Sequence, residues 1–303
     1  MSLTNVLMRY TGGVCLKPEK KGLISFSAVL IAVIVAAAII IPIVRRNSVS
    51  VYMREDLGNV DNISLIAHCS EVDGAENSVA GFKESVRLGA NAVIVDLCFK
   101  KDGTPVMTDS YSEVDSAERV EALFSAMNEE KFNSACVYLN IVQLSDIAKL
   151  NSLAVEYNVV NRVFLTGIDS DRYELIGTDD TILPFLIDYT FTAEELESIK
   201  KGSFSMPEAL EKTGASGLVT DYSQISDEVV ETLNDYGILF IVDGIESNSD
   251  MCKALLCGAN NVIVKDIKKS RETVDEWTLE MQNRYKESVD KSIKALSQKS
   301  KDR

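Results

Sequence analysis

The side chains best suited to catalysis or metal binding in this chain are a single histidine and a series of aspartates. His68 is the only histidine among 303 residues, and it directly follows the apolar run ISLIA. The aspartates stand at or just after the ends of apolar runs, at Asp96, Asp109, Asp188, Asp221, Asp243 and Asp266. A histidine can exchange protons near neutral pH, and several carboxylates together can hold a divalent cation. Aspartate is also common in strand-to-helix loops and helix caps, so a structural role is the simpler interpretation of these six.

The cysteines do not form a recognisable site. They occur at Cys15, Cys69, Cys98, Cys136, Cys252 and Cys257, and none belongs to a C-x-x-C pair. A single histidine rules out a His-rich metal cluster, and the scattered spacing favours buried thiols over a disulfide framework. A redox or nucleophilic pair of Cys69 and Cys98 has no second histidine to activate it.

Charge is distributed unevenly along the chain. Residues 1–60 contain seven basic and three acidic residues, a net charge of +4, whereas the whole chain carries −15. The remainder therefore carries −19, and such an acidic body is repelled by nucleic-acid phosphates. Binding to nucleic acid is excluded on this ground.

An uncharged run from Gly22 to Val44 predicts a transmembrane helix, because about 20 apolar residues are enough to cross a bilayer. Two basic residues flank the run on each side, and the run is longer than the hydrophobic region of a cleaved signal peptide. The positive-inside rule favours a cytoplasmic leader at residues 1–21. We therefore expect a single-pass plasma-membrane protein whose folded body is external.

After a polar linker at residues 45–60, apolar runs alternate with helical patterns over residues 61–270. The predicted strands are Ile63–Ala67, Ala92–Asp96, Cys136–Val142, Arg162–Thr166, Ile182–Asp188, Gly217–Thr220, Leu239–Asp243 and Asn261–Val264. These runs are apolar throughout, as are parallel strands that are covered on both faces. The alternation predicts an α/β fold, and both a (β/α)8 TIM barrel and a doubly wound open sheet are compatible with it.

Residues 271–303 predict a C-terminal helical tail. Its apolar stripe consists of Val274, Trp277, Met281, Tyr285, Val289, Ile293 and Leu296. Such a stripe is typical of a helix that packs on the outside of the folded body. The alternative is a face for a partner or for a second copy of this chain, which would make the protein a homo-oligomer.

From Ile66 to Asp109 the chain reads IAHCSEVDGAENSVAGFKESVRLGANAVIVDLCFKKDGTPVMTD. The order and spacing of these segments resemble the glycerophosphodiester phosphodiesterases, in which AHRG, PENT, GAD-I-E-L-D-V, T-K-D-G-x-P-V and HD follow one another. The resemblance extends more faintly through VYLNIVQ and covers roughly Ile63 to Asp266. It implies a (β/α)8 barrel of the phospholipase-C-like kind, which favours the barrel over the open sheet.

The family resemblance also implies a site with two catalytic histidines, an arginine that binds phosphate, and calcium or magnesium held by three carboxylates. Carried over to this chain, His68 stands at the first catalytic position. Glu76 and Asn77 stand at the E-N of PENT and are the expected substrate-binding residues. Asp96 and Asp109 are the acidic residues retained for a metal.

Most of the other family residues are replaced. The substitutions are Cys69 for the arginine, Ile94 and Val142 for two metal-binding glutamates, Thr108 for the second histidine, and Leu144 for a lysine; Asp243-Gly244 replaces W-T. Loss of a general acid or base alone lowers the rate by about 10²–10⁴-fold. We therefore expect a catalytically degenerate, membrane-anchored domain, a pseudoenzyme that binds a glycerophosphoryl ligand or an envelope protein partner, or acts as a scaffold.

Two alternatives stay open. Relocated aspartates could build a rearranged metal site, which would make the protein an active phosphoric diester hydrolase of lipid metabolism. The barrel could also be a spacer, with the C-terminal helix providing oligomerisation.

Overall fold

The computed structural model describes residues 63–69, 76–169, 181–205, 210 and 213–301. All of them belong to one compact unit. The predicted leader at 1–21, the predicted membrane helix at 22–44 and the linker at 45–60 lie outside the described residues. Within the described residues, no helix combines the length and apolar character needed to cross a membrane.

Eight parallel strands close into a barrel. The strands of the described chain are β1 (Ser64–His68), β2 (Ala92–Phe99), β3 (Pro105–Met107), β4 (Glu118–Arg119), β5 (Cys136–Ile141), β6 (Val163–Ile168), β7 (Phe185–Asp188), β8 (Gly217–Asp221), β9 (Leu239–Ile245) and β10 (Asn261–Val264). Parallel pairing runs from β1 through β2, β5, β6, β7, β8, β9 and β10 and returns to β1. The predicted TIM barrel is thereby confirmed, and the open sheet is wrong.

The main addition to the predicted strands is an antiparallel extension of β2. The prediction ended the strand at Asp96, but the apolar run continues to Phe99 and pairs there with Pro105 of β3. A turn closed by a hydrogen bond from Gly103 N to Lys100 O joins the two strands. β4 then pairs with β3, so this extension lies outside the closed barrel.

Helices follow most of the barrel strands. They are α1 (Val79–Arg87), α2 (Val120–Met127), α3 (Ile147–Glu156), α4 (Ala193–Lys200), α5 (Asp227–Asp235), α6 (Asn248–Leu256) and α7 (Ile267–Lys301). The Ser226 side chain caps α5 by accepting a hydrogen bond from Val229 N, as its position before that helix predicts. Gly237 and Gly258 follow α5 and α6 in the left-handed region that favours glycine.

The barrel interior is filled by side chains from alternate strand positions. The buried members of this interior cluster are Ile66, Ala92, Ile94, Tyr138, Leu186, Ile241 and Ile263. Phe164 and Val219 pack against them, and the rings of Tyr138 and Phe164 stack at 5.0 Å. The intervening strand residues, such as Val93 and Val95, are also fully buried. The strands are therefore covered on both faces, which explains their unbroken apolar runs.

Helix α7 divides into a packed part and an exposed part. Val274 and Trp277 are buried, as the docking interpretation predicts. Arg271 donates hydrogen bonds from Nε and Nη2 to Gly89 O, at 3.0 and 2.8 Å, which fixes the start of α7 to the loop after α1. Further along, Val289 is 37% exposed and Ile293 is 58% exposed. Of the stripe residues whose side chains are described, Val274 and Trp277 are therefore packed, whereas Val289 and Ile293 are exposed.

Candidate functional site at the carboxyl ends of the barrel strands

A polar layer lies directly above the interior cluster. Along the barrel strands, a polar residue stands two positions after a cluster member or after Phe164 or Val219, which pack against the cluster. These polar residues are His68, Asp96, Asn140, Thr166, Asp188, Asp221, Asp243 and Lys265. Because strand side chains alternate between faces, a spacing of two places strand residues on the same face as the cluster, nearer the carboxyl end. This is the end at which TIM-barrel enzymes build their sites. The sequence pattern therefore brings His68 and several of the predicted aspartates to one mouth.

Asp96 is the centre of a hydrogen-bond network in this layer. Its Oδ2 accepts a hydrogen bond from Asn77 Nδ2 at 2.9 Å, and its Oδ1 accepts one from Asn140 Nδ2 at 2.5 Å. Asn77 Oδ1 in turn accepts from Asp96 N at 2.9 Å. The network connects the residue before the α1 N-cap to β2 and β5, so Asn77 acts here as a structural partner of Asp96.

Asn140 itself requires a glycine on the next strand. Gly167 in β6 has a φ of +72°, and a Cβ placed there would lie 2.1 Å from Asn140 Oδ1. The sequence reasoning did not single out Asn140 or Gly167. The available signal was an asparagine inside the otherwise apolar strand CVYLNI.

His68 is half-buried at the end of β1. Within the part of the chain that the structure describes, its imidazole has no hydrogen-bond partner. A histidine kept only for structure would normally satisfy its ring nitrogens with protein groups. The imidazole is therefore placed to meet a ligand or solvent at the mouth.

Three of the positions at which the family resemblance places functional residues are buried, namely Cys69, Ile94 and Thr108. Cys69 is fully buried, its Sγ donates to Ser78 O at 3.6 Å, and burial raises the pKa of its thiol. Thr108 is 4% exposed, and its backbone N donates to Asp96 O at 3.0 Å. Ile94 belongs to the interior cluster. None of these three side chains supplies a charge at the mouth.

Among the residues that the structure describes, the carboxylates near the mouth do not make up a complete donor set for calcium or magnesium. Among the described residues, no group of three or more His, Cys, Asp or Glu side chains is placed to hold a metal ion. Both carboxylate oxygens of Asp96 already accept amide hydrogen bonds, and Asp109 is exposed in the loop after β3. Calcium prefers six to eight oxygen ligands, which this arrangement does not offer. The assignment of Asp96 and Asp109 as metal ligands stays a prediction.

Two of the other aspartates have local structural roles. Asp221 Oδ1 accepts from Ser223 N at 2.8 Å, and hydrogen bonding to Ser223 lowers the pKa of this carboxyl. Asp243 Oδ1 accepts from Gly244 N at 2.6 Å. A Cβ at Gly244 would lie 2.4 Å from Asp221 Oδ2, so these two strand ends pack tightly. Turn formation therefore explains both residues without a ligand.

No protein-family model matches the chain, and no curated protein sequence matches it. Solved structures do. One is a protein assigned as a glycerophosphoryl diester phosphodiesterase from Silicibacter pomeroyi DSS-3, with a TM-score of 0.57 and 12% identity over 71% of this chain and 93% of that one. Another, assigned as a glycerophosphodiester phosphodiesterase from Galdieria sulphuraria, has a TM-score of 0.55 and 15% identity over 70% and 98% of the two chains.

A third is a glycerophosphodiester phosphodiesterase from Parabacteroides distasonis ATCC 8503, with a TM-score of 0.54 and 14% identity over 71% and 98% of the two chains. At these identities the likeness is one of fold, and it extends over nearly the full length of each similar structure. The described barrel therefore has the fold of the glycerophosphodiester phosphodiesterases that match it, as the motif between Ile66 and Asp109 indicated.

Proposed function

We propose that this chain is a glycerophosphodiester phosphodiesterase-like domain that has lost standard catalysis and acts as a binding or scaffolding domain on a membrane. The observation that carries the proposal is the local structure around the missing second histidine. Thr108 stands at that position, is buried, and contributes its backbone N to Asp96 O. His68 is the only histidine in the chain, so no other imidazole can take over the second proton transfer.

The electrostatics of the mouth support the same proposal. A phosphodiester is an anion, and its cleavage develops further negative charge that a cation or an arginine normally stabilises. Cys69 and Ile94 stand where the family resemblance places an arginine and a metal-binding glutamate, and both are buried. Asp188 is exposed at the end of β7 and adds negative charge to this end of the barrel. A binding role does not require the missing groups.

The test is an assay of the purified full-length protein, in detergent, for release of glycerol 3-phosphate from glycerophosphodiesters with calcium or magnesium added. We expect no release above that of a protein-free control, with an active glycerophosphodiester phosphodiesterase as the positive control. Metal-dependent turnover that His68→Ala abolishes would contradict the proposal. Saturable binding of a glycerophosphodiester without turnover would support a binding role, provided that His68→Ala weakens this binding.

The second candidate function is an active hydrolase with a rearranged site. The observation in its favour is that the His68 imidazole, without a partner among the described residues, stands in the same polar layer as Asp188. The assay above distinguishes the two functions. In addition, Asp188→Asn should abolish turnover only if that carboxylate takes part in a rearranged site.

We propose that residues 22–44 anchor the protein in the plasma membrane with the barrel outside the cell. The support is the uncharged length of this run and the basic residues that flank it. The expected result is recovery in the membrane fraction and digestion of the barrel by protease added to intact cells. Recovery in the soluble fraction would contradict the proposed membrane anchor. Protection of the barrel from protease would contradict the proposed orientation and place the barrel inside the cell.

The exposed part of α7 supports a further proposal of self-association or partner binding. Val289 and Ile293 lie one turn apart on this helix, and both are exposed. Truncation after residue 281 retains Val274 and Trp277, so the packed part of α7 is preserved. A concentration-dependent mass in sedimentation experiments that this truncation removes is the expected result for a homo-oligomer.

A further inference from the structure

The exposed apolar residues of α7 lie on a different side of this helix from the residues that pack on the barrel. Leu279 is 59% exposed, although it follows the buried Trp277 by only two positions. An α-helix turns by about 100° per residue, so Leu279 and Ile293 both lie about 160° around the helix from Trp277. Ile293 is 58% exposed. The helix therefore has a second apolar face, which is directed away from the barrel.

Helix α7 also extends past the amino-terminal end of the barrel. It begins at Ile267, after the carboxyl end of β10, and Arg271 already contacts Asn91, which immediately precedes β2. The helix therefore runs from the carboxyl ends of the barrel strands towards their amino-terminal ends. Residues 279–301 continue it for about 35 Å, at 1.5 Å per residue. Each side chain that the structure describes between residues 282 and 294 is exposed, so a second helix has room to lie along this part.

The second apolar face follows the heptad spacing of a coiled coil. Alternating steps of three and four residues separate its exposed members, which are Leu279, Gln282, Lys286, Val289 and Ile293. In the sequence, the next position of this series is Leu296. A repeat of 3.5 residues keeps such positions on one side of a helix, where they pack against the same series on another helix. The series is short and two of its members are polar, so the pair that it forms is weak and separates on dilution.

The charges along α7 indicate that the second helix is another α7 in the opposite direction. Residues 272–290 contain six acidic and two basic residues, a net charge of −4, whereas residues 291–301 contain four lysines and no acidic residue, a net charge of +4. Two antiparallel copies place the basic end of each helix beside the acidic part of the other. Two parallel copies would instead bring the Lys286 side chains of both helices together, and like charges repel each other.

We propose that this exposed face of α7 pairs with the same face of a second copy of the chain as an antiparallel coiled coil. In the register that uses the whole series, Lys286 lies opposite Val289 of the second copy, and Gln282 lies opposite its Ile293. The pair is symmetric, so each contact occurs twice. The inference rests on the proposed self-association, to which it adds the face and the direction. It does not depend on whether the barrel mouth is catalytic.

Sedimentation equilibrium of the full-length protein in density-matched detergent tests the pairing. We expect the mass to rise from that of one copy to that of two copies as the protein concentration increases. Ile293→Asp should weaken this association by about tenfold or more, because a charge replaces an apolar contact at two places in the symmetric pair. Lys291→Gln is the matched control: it lowers the net charge equally, and the exposed Lys291 lies about 160° around the helix from Ile293. It should leave the association within about twofold of the wild type.

Disulfide cross-linking tests the direction of the pair. Gln282→Cys in one copy lies opposite Ile293→Cys in the other, so a mixture of these two variants should cross-link on oxidation. Neither variant should cross-link with itself, because the two copies of one position would then be roughly 16 Å apart along the helix axis. A disulfide requires Cα atoms within about 7 Å of each other. The wild type, which contains the natural cysteines, gives the background.

The outcomes separate this inference from the self-association on which it rests. The mass of a single copy at every concentration would overturn both. A concentration-dependent mass that Ile293→Asp leaves unchanged would overturn only the proposed face, and cross-linking of either cysteine variant with itself would overturn the antiparallel direction. Thermal unfolding of each variant at low protein concentration shows that the fold is retained.

Discussion

Asn140 and Asp96 are direct partners across the neighbouring strands β5 and β2, and a 2.5 Å hydrogen bond joins Asn140 Nδ2 to Asp96 Oδ1. Asn77 completes the arrangement from the other side, through Nδ2 and Oδ1. The retained acidic residue is thus held in place by two amides. These two protein groups fix its position at the mouth.

Replacing Asp96 by alanine should lower the free energy of unfolding by about 2–3 kcal/mol, because two amide groups lose a charged acceptor. Urea unfolding of the full-length protein, followed by the fluorescence of Trp277, measures this loss. Asp109→Ala is the control, since Asp109 is exposed and should change stability by less than about 0.5 kcal/mol. Equal effects of the two substitutions would contradict the structural role of the network.

Gly167→Ala should destabilise the barrel by more than about 2 kcal/mol, since the new methyl group would meet Asn140 Oδ1 in addition to the strain at positive φ. Gly202→Ala is the matched control: its φ is +63°, and nothing lies within 4 Å of the added Cβ. Gly202→Ala should lower the free energy of unfolding by only about 1 kcal/mol, which is the strain of an alanine in the left-handed backbone region. If Asn140 causes the difference, Asn140→Ala combined with Gly167→Ala should show a coupling energy in a double-mutant cycle.

Trp277→Ala should lower the free energy of unfolding by about 3–5 kcal/mol, because this ring is 7% exposed in the packed part of α7. Circular dichroism in urea is the suitable measurement, since the substitution removes the fluorophore. Leu279→Ala on the same helix should have an effect below about 0.5 kcal/mol, because Leu279 is 59% exposed. A large loss in Leu279→Ala would instead place a partner or a second copy on that face.

The lowered pKa of the Glu195 carboxyl leads us to expect a specific dependence of stability on pH. Partial burial raises the pKa of this carboxyl, but hydrogen bonds from the Tyr189 hydroxyl and from Thr192 outweigh it and hold the pKa below its ordinary value of 4.5. The lowered pKa means that the charged form stabilises the fold. This contribution is fully present above pH 4.5 and is lost as the pH falls through the folded-state pKa.

Glu195→Gln should therefore be less stable than the wild type at about pH 7, and the difference should narrow as the pH falls below 4.5 and the folded-state carboxyl becomes protonated. Urea unfolding over a series of pH values measures it. Glu194→Gln, an exposed neighbour in the same helical turn, is the control and should show no such convergence. A difference between Glu195→Gln and the wild type that is constant with pH would contradict the assignment.

The barrel strands could be predicted because each is a short apolar run, and Asn261–Val264 coincides with the predicted strand. The end of β2 could not, since its continuation to Phe99 depends on pairing with β3, a contact that apolar periodicity does not encode. His68 and Asp96 were identified from the motif. Asn140 and Gly167 were missed because their importance lies in a contact between neighbouring strands, which is visible only once the register is known.

Arg271, at the start of the C-terminal helix α7, is hydrogen-bonded to the loop after α1, which is synthesised much earlier. Its guanidinium reaches Gly89 O and Asn91 Oδ1, and the same Asn91 oxygen accepts from Leu65 N in the first strand. The arginine lies 182 positions after Gly89. During synthesis, these hydrogen bonds between Arg271 and the loop after α1 can therefore form only when almost the entire domain has left the ribosome.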